Sequence, residues 1–344
     1  MTSTRTSTED LSPEAMEEAY LEYRRACYDI VHESALVGGV YEVFDQPRST
    51  EEFVQAFQVA SGKEHAAELL LRALAKRGGL EADDAGRFRR VDPPDLSIDE
   101  SLLERATGHP SLSALRHSEN YAGIIGALKT EDNPVAASFD QRNMPLWEEV
   151  LQAPFYRYSR VQAVRDLTQD GAGKFLDLAC GPGFGLEELG ELSGPDASLI
   201  GVEISRDFVC AAVERHRDDD RVRVVAGDVT HPLDVLQESY FDGAMIVGAY
   251  HFLQHPQGLW DNAARLLKPG GRFCVAYALS QVGSPDQEIM NLRFELRDPP
   301  SFLPTRDDVM HQAESHGFKL TRSFGLGAWQ WYSFRLADAL DGRV

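Results

Sequence analysis

The chain has 344 residues, 43% of them apolar and 26% charged, and its 34 Lys and Arg stand against 55 Asp and Glu for a formal charge of −21. Single cores stop growing near ~250–300 residues, so two domains are expected, and the composition excludes wholesale disorder, collagen-like repeats and coiled coils. A surface this acidic repels phosphate backbones and anionic lipid, which argues against nucleic-acid and membrane partners.

Residues 1–15 read as a flexible tail with no apolar signal region, and no apolar run approaches the ~18 residues of a membrane helix; a cytoplasmic protein is expected. From Pro13 to Val37, Met16, Tyr20, Tyr23, Cys27 and Ile30 recur at helical steps. A second apolar segment spans Ala35 to Phe44. Thr50 is the expected N-cap of a helix that buries Phe53, Ala56 and Phe57, and Glu64 to Arg77 predicts another, stopped by Gly78-Gly79. Leu80 to Val91 reads as a hairpin around Asp83-Asp84-Ala85-Gly86. Three helices and a hairpin make a winged-helix-like arrangement. Its eight Lys and Arg against ten Asp and Glu between Leu36 and Asp92 leave no duplex footprint, so a packing and dimerisation role is expected. Further helical segments run from Leu102 to Leu128, broken at His109-Pro110, and from Asn133-Pro134 to Leu167. Beyond Thr168 short β-like runs alternate with amphipathic stretches: Phe175–Ala179, Ser198–Val202, Val222–Val225, Gly243–Val247 and Arg272–Tyr277. Strands spaced by helices imply βαβ units and a parallel sheet.

The first of these strands runs into Gly181-Pro182-Gly183-Phe184-Gly185, a turn that lets a ligand approach the backbone. Asp177 precedes it by four residues, where a carboxylate suits an ammonium group and repels a pyrophosphate. Glu203 ends the second strand about twenty residues on, where it can take both hydroxyls of a ribose. Asp228 follows the third strand and can accept from an exocyclic amine. Ammonium, diol and amine together describe S-adenosylmethionine. The positions expected to contact it are Asp177, Ala179, Gly181, Gly183, Glu203, Ile204, Gly227, Asp228 and Val229. The four cysteines, Cys27, Cys180, Cys210 and Cys274, contain no C-x-x-C pair, and no metal site is expected.

Asp177 to Gly185 resembles the first motif of class I methyltransferases, and Gly201-Val202-Glu203 the second-strand motif. Phe241-Asp242 to His251 is similar to the fourth strand and its loop, and Leu266 to Phe273, with Lys268-Pro269-Gly270-Gly271, to the turn before the fifth. The resemblance implies a Rossmann-like α/β catalytic domain over 166–344 that uses S-adenosylmethionine. Val37 to Phe44, Glu64 to Arg77 and Gly79-Leu80 look like the dimerisation domain of small-molecule O-methyltransferases. That resemblance implies a homodimer in which residues 16–165, mostly helical, roof the substrate pocket.

A sulfonium methyl is already activated, so holding the nucleophile in line supplies much of the catalysis, up to ~7–11 kcal/mol in model systems. A base adds ~10²–10⁴-fold where a phenol must lose its proton. His251, past the fourth strand, is the base candidate, although the His-Asp-Trp segment of plant-type O-methyltransferases is replaced by His251-Phe252-Leu253-Gln254-His255. Glu295 is a second catalytic candidate. Arg142, Asn143, Met144 and Trp147 from the roof and Arg293 and Phe294 from the insertion after the fifth strand are candidate substrate contacts, the arginines for a carboxylate and Met144 and Phe294 for an aromatic ring. The expected activity is methylation of a small aromatic molecule in bacterial secondary metabolism such as antibiotic biosynthesis, at oxygen first. Carbon methylation of an aromatic amino acid or α-keto acid is the alternative, and a winged-helix regulator with a ligand-sensing domain is the rival of another class.

Overall fold

The computed structural model describes residues 12–95, 97–109, 123–131, 135–136, 139–171, 173–279, 283–298 and 303–338. The tail up to residue 11, Pro110 and Asn133-Pro134 therefore lie outside the described residues. Helices α1 (Pro13–Val37), α2 (Thr50–Phe57) and α3 (Glu64–Arg77) lead into a hairpin of β1 (Leu80–Ala82) and β2 (Phe88–Arg90). Then come α4 (Glu100–Thr107), the single turn α5 (Ile124–Ala127) and β3 (Val135–Ala136). Two helices, α6 (Met144–Gln152) and α7 (Pro154–Thr168), precede β4 (Lys174–Leu178), α8 (Phe184–Leu192), β5 (Ser198–Glu203), α9 (Arg206–Arg215), β6 (Val222–Ala226) and β7 (Phe241–Val247). The chain continues through α10 (Gln257–Leu266), β8 (Leu267–Ala278), α11 (Gln287–Glu295), β9 (Arg297–Asp298), α12 (Arg306–Ser315), β10 (Phe318–Leu326) and β11 (Trp329–Leu336).

These elements form two compact units. Leu11–Ser138 and Ser280–Ser301 make the helical one; Phe139–Leu279 and Phe302–Val344 make the one built on the sheet. The division differs from the expected break between 165 and 166. Helix α7 buries Ala163, Val164 and Leu167 against the sheet residues Phe175, Met245 and Cys274, a contact that helical periodicity alone does not reveal. Helix α11, read as an insertion in the catalytic half, packs instead on α1 and α3.

In the helical unit the expected stripe Met16, Tyr20, Tyr23, Cys27 and Ile30 of α1 is buried. Ser12 accepts from Ala15 N, and Pro13 stands where no intrahelical donor is needed. The N-cap of α2 is Ser49 rather than Thr50: its hydroxyl accepts from Glu52 N while the Glu52 carboxylate accepts from Ser49 N, a reciprocal box that Thr50 has no partner to build. Gly78, at φ +88°, ends α3. The second apolar segment is the end of α1 followed by a 3₁₀ turn, Tyr41–Phe44.

The seven-stranded sheet has the order β10-β11-β8-β7-β4-β5-β6. Strands β6, β5, β4, β7 and β8 are parallel, and β11 pairs antiparallel with both β8 and β10. Strand order reverses between β4 and β7, and in open α/β sheets ligands bind outside the carboxyl ends of the strands at such a point. Leu176, Leu178, Ile246 and Val275 lie in one core layer with Trp260 of α10. Phe175, Met245, Cys274 and Ala276 face the other, with α7 and α8. Lys268-Pro269-Gly270-Gly271, expected as a turn, is the irregular start of β8, where the pairing slips between Phe241 and Gly243. Among the described residues no helix is long and apolar enough to cross a membrane.

Candidate active site

Strand β4 ends in Leu178, and the chain then turns through Ala179, at φ +60°, Gly181 at +55° and Gly183 at +91° before α8 begins. Left-handed backbone suits the glycines; Ala179 holds it at a cost that surrounding structure must offset. The offset is visible around the turn. Cys180 N donates to Val202 O (3.0 Å), His216 Nε2 lies 2.8 Å from Gly183 O, and Arg215 Nε donates to Pro182 O (2.9 Å) with its guanidinium over the Phe184 ring. A Cβ on Gly181 would meet nothing closer than 3.9 Å, so the turn stays open at the point where a ligand would lie.

Two carboxylates flank it. Glu203, last in β5 and 5% exposed, accepts from Gly181 N (2.9 Å) through Oε2 and from Ser205 N (2.8 Å) through Oε1. Burial pushes its carboxyl group up, against the pull of the backbone N–H groups of Ser205, Gly181 and Ile204. Asp177, in β4 and 4% exposed, makes no side-chain hydrogen bond among the described residues. Burial, with the Glu188 and Glu203 carboxylates adding to it and Arg160 opposing, pushes Asp177 up to about 8. Ile204, beyond Glu203, is 66% exposed, an apolar surface beside the acidic pair.

The third expected carboxylate is more occupied. Asp228 Oδ1 accepts from Thr230 N (2.8 Å) and Thr230 Oγ1 (2.7 Å), and Oδ2 lies 2.9 Å from His231 Nδ1. Partial burial opposes these hydrogen bonds, which nevertheless hold its carboxyl group below the usual range. Gly227 N is bonded to Glu203 O (2.9 Å), tying β6 to β5. The Val229 side chain is buried in the core layer, so contact with a ligand would fall to its backbone.

Past β7, His251 sits buried in a 3₁₀ turn, Tyr250–Phe252, with its ring 4.4 Å from that of Phe252. Phe139 stacks on Trp147 at 4.9 Å and meets Phe252 edge-on at 5.1 Å. The segment carrying these rings is pinned to the β5 end: Ser205 Oγ donates to Phe139 O (2.6 Å), and Gln141 N to Asp207 Oδ2 (2.9 Å). The structure therefore brings Trp147, His251 and Glu203 into one region of the sheet unit. Asn143 is the N-cap residue of α6, Met144 is half-buried and Arg142 is exposed. Arg293, Phe294 and Glu295 belong to α11 in the helical unit, where Phe294 is buried and Glu295 exposed. The second histidine, His255, is exposed ahead of α10. Among the described residues no cluster of His, Cys, Asp or Glu could hold a metal ion.

Residues 176–275 match the family model for a methyltransferase domain. The match spans the acidic strand tips, the glycine turn and His251 together. The chain carries a class I methyltransferase domain. The methyltransferase is 23% identical over 177 residues to O-methyltransferase rstn1 of Aspergillus nomiae, covering 51% of this chain and 77% of that one. It is 28% identical over 182 residues to O-methyltransferase cnsE of Penicillium expansum, with 51% and 62% covered. Across nearly the whole chain it shares the fold of two solved structures, the DszA carbon methyltransferase (TM-score 0.67, 15% identity, 96% and 94% covered) and the CurJ carbon methyltransferase (TM-score 0.62, 16% identity, 94% and 92% covered). The methyl donor of such a domain is S-adenosylmethionine.

Several residues of this region carry no motif in the sequence. Phe208, Arg160 and Glu188 stand in no sequence motif, and the last two form a buried ion pair beside Asp177. Each is a Phe, Arg or Glu inside a helix, a pattern shared with ordinary core and surface positions.

Proposed function

We propose that this methyltransferase transfers the methyl group of S-adenosylmethionine to a small, aromatic acceptor, with oxygen the preferred nucleophile. The observation that carries the reading is Glu203, fixed by Gly181 N and Ser205 N across the tips of β4 and β5 beside a buried carboxyl group, Asp177, that lacks a donor of its own among the described residues. Each carboxylate oxygen has a second lone pair, so Glu203 can take both ribose hydroxyls while keeping its backbone bonds. Asp177 is the partner for the ammonium group, Ile204 the apolar surface for the adenine, and the Gly181 and Gly183 turn the backbone face of the site. Asp228, Gly227 and the Val229 backbone border the adenine.

When bound, S-adenosylmethionine supplies an electrophilic methyl on a positively charged sulfur. The chain's own work is to orient the acceptor and keep water out. Phe139, Trp147 and Phe252 offer flat apolar faces for an aromatic ring. His251 takes the proton of the acceptor hydroxyl, a contribution of ~10²–10⁴-fold. Met144 and Asn143, at the start of the helix that carries Trp147, are candidates for the same contact. Arg142, exposed just ahead of α6, remains the candidate for a substrate carboxylate in this unit.

Carbon methylation of an aromatic amino acid or an α-keto acid is the second reading, favoured by the two carbon methyltransferases that share the fold over nearly the whole chain. Incubation with ¹³C-methyl-labelled cofactor and panels of phenols and of α-keto acids separates the two, because O-methyl and C-methyl products differ in carbon chemical shift. Label in neither panel refutes the aromatic small-molecule reading. A homodimer formed through the helical unit is part of the proposal; light scattering at the mass of one 38.2 kDa chain would contradict it.

A further inference from the structure

The buried ion pair beside Asp177 has no part in the proposed methyl transfer. Arg160 of α7 and Glu188 of α8 meet through two bonds, Nε to Oε2 and Nη2 to Oε1, both 3.0 Å, and are 5% and 4% exposed. Arg157 adds a contact to Glu188 Oε1 at 3.3 Å, and Arg160 Nη1 donates to Leu151 O. Buried pairs of this kind seldom stabilise a fold more than apolar residues of the same size would. What sets this one apart is its neighbour. Asp177 lies on the same side of the sheet as Phe175, the face covered by α7 and α8, and a Cβ on Gly185 of α8 would run into its Oδ2. The charged groups that act on Asp177 are Arg160 from α7, Glu188 from α8 and Glu203 from β5; the nearby Cys180 thiol is itself pushed up by burial and stays neutral.

We propose that Arg160 and Glu188 are a positioning pair that sets the charge on Asp177, so that uptake of the cofactor expels one proton from this carboxyl group. The proposal rests on the reading of the β4 and β5 tips as the S-adenosylmethionine site. An ammonium group pairs with a carboxylate and gains little from a neutral acid. In the ligand-free protein burial without hydrogen bonds keeps the Asp177 proton on below a pH of about 8. Binding therefore converts Asp177 from COOH to COO⁻, the proton leaves to solvent, and the ligand's ammonium charge replaces it. Arg160 favours the ionised form and Glu188 the neutral one, so the two act in opposite directions.

The test is calorimetry of S-adenosylhomocysteine binding to the full-length protein in buffers of different ionisation enthalpy. At about pH 6.5 close to one proton should be released, falling toward zero above about pH 9, and affinity should rise roughly tenfold per pH unit below the midpoint. Glu188→Gln should move the midpoint to lower pH and Arg160→Met to higher pH, whereas a purely structural pair would weaken binding in both without separating them. Asp177→Asn should bind more weakly and release no proton. Binding of wild type without proton exchange across this range, or midpoints that move together, overturns the proposal and leaves the site reading intact. Absence of any binding overturns both. If Arg160→Met does not fold, the midpoint of Glu188→Gln against wild type decides: a shift to lower pH supports the pair's role and an unmoved midpoint overturns it.

Discussion

Replacing Glu203 by Gln probes the site with little change of shape. The carboxylate takes Gly181 N at 2.9 Å on one oxygen and Ser205 N at 2.8 Å on the other. An amide has one acceptor, so in Glu203→Gln one of those two N–H donors faces an NH₂ group, and the glycine turn loses an anchor. A hydrogen bond to a charged group contributes about 1.5–3 kcal/mol, and the ribose loses at least one such bond. The expected outcome is a rise in cofactor Kd of roughly 10- to 100-fold. Stability should change less, because the amide escapes the desolvation that pushes the buried acid up. Calorimetry with S-adenosylhomocysteine gives the affinity, and thermal unfolding checks the fold. A folded variant that binds as tightly as the parent would refute the assignment of Glu203.

Three further outcomes are expected. His251→Ala should lower kcat by about 10²-fold or more while leaving cofactor Kd within a factor of two or so, and an unimpaired rate would remove His251 as the base. Gly248 stands at φ +75° with the Tyr156 hydroxyl and ring where a Cβ would go, so Gly248→Ala should lower Tm by roughly 5 °C or more; an unchanged Tm would mean that this junction after β7 is not rigid. Asp177 is raised in the folded state, so its contribution to ligand-free stability is full below the unfolded carboxylate value near pH ~4 and is lost as pH rises through about 8. Urea titrations should therefore show wild type less stable at about pH 9 than at about pH 6, with the difference reduced in Asp177→Asn; equal slopes would contradict the burial of an unpaired acid.

The parallel half of the sheet was legible because its strands are short apolar runs closed by glycine and acidic residues: β4, β5, β6 and β7 fall within two residues of where the sequence puts them. The antiparallel pair β10 and β11 was not read at all. Trp331 to Phe334 of β11, which pairs with a strand on each side, is buried on both faces, and that erases the apolar–polar alternation of a half-exposed strand. The same limit applies at the site. Asp177, Glu203 and the glycine turn are marked by position relative to a strand, a local signal. The pairing of Arg160 with Glu188 joins residues 28 apart, and Phe139 reaches Ser205 across 66, distances that only the folded chain closes. Val229 and Phe294 show the converse: apolar residues in expected contact positions whose side chains serve the core.

Every assignment at this site depends on a nucleoside seated at the ends of β4 and β5. A crystal structure of the protein soaked with S-adenosylhomocysteine tests it most directly. Ribose hydroxyls should lie on Glu203 and the amino group beside Asp177. Density for the nucleoside anywhere else, with those two side chains bare, would contradict it.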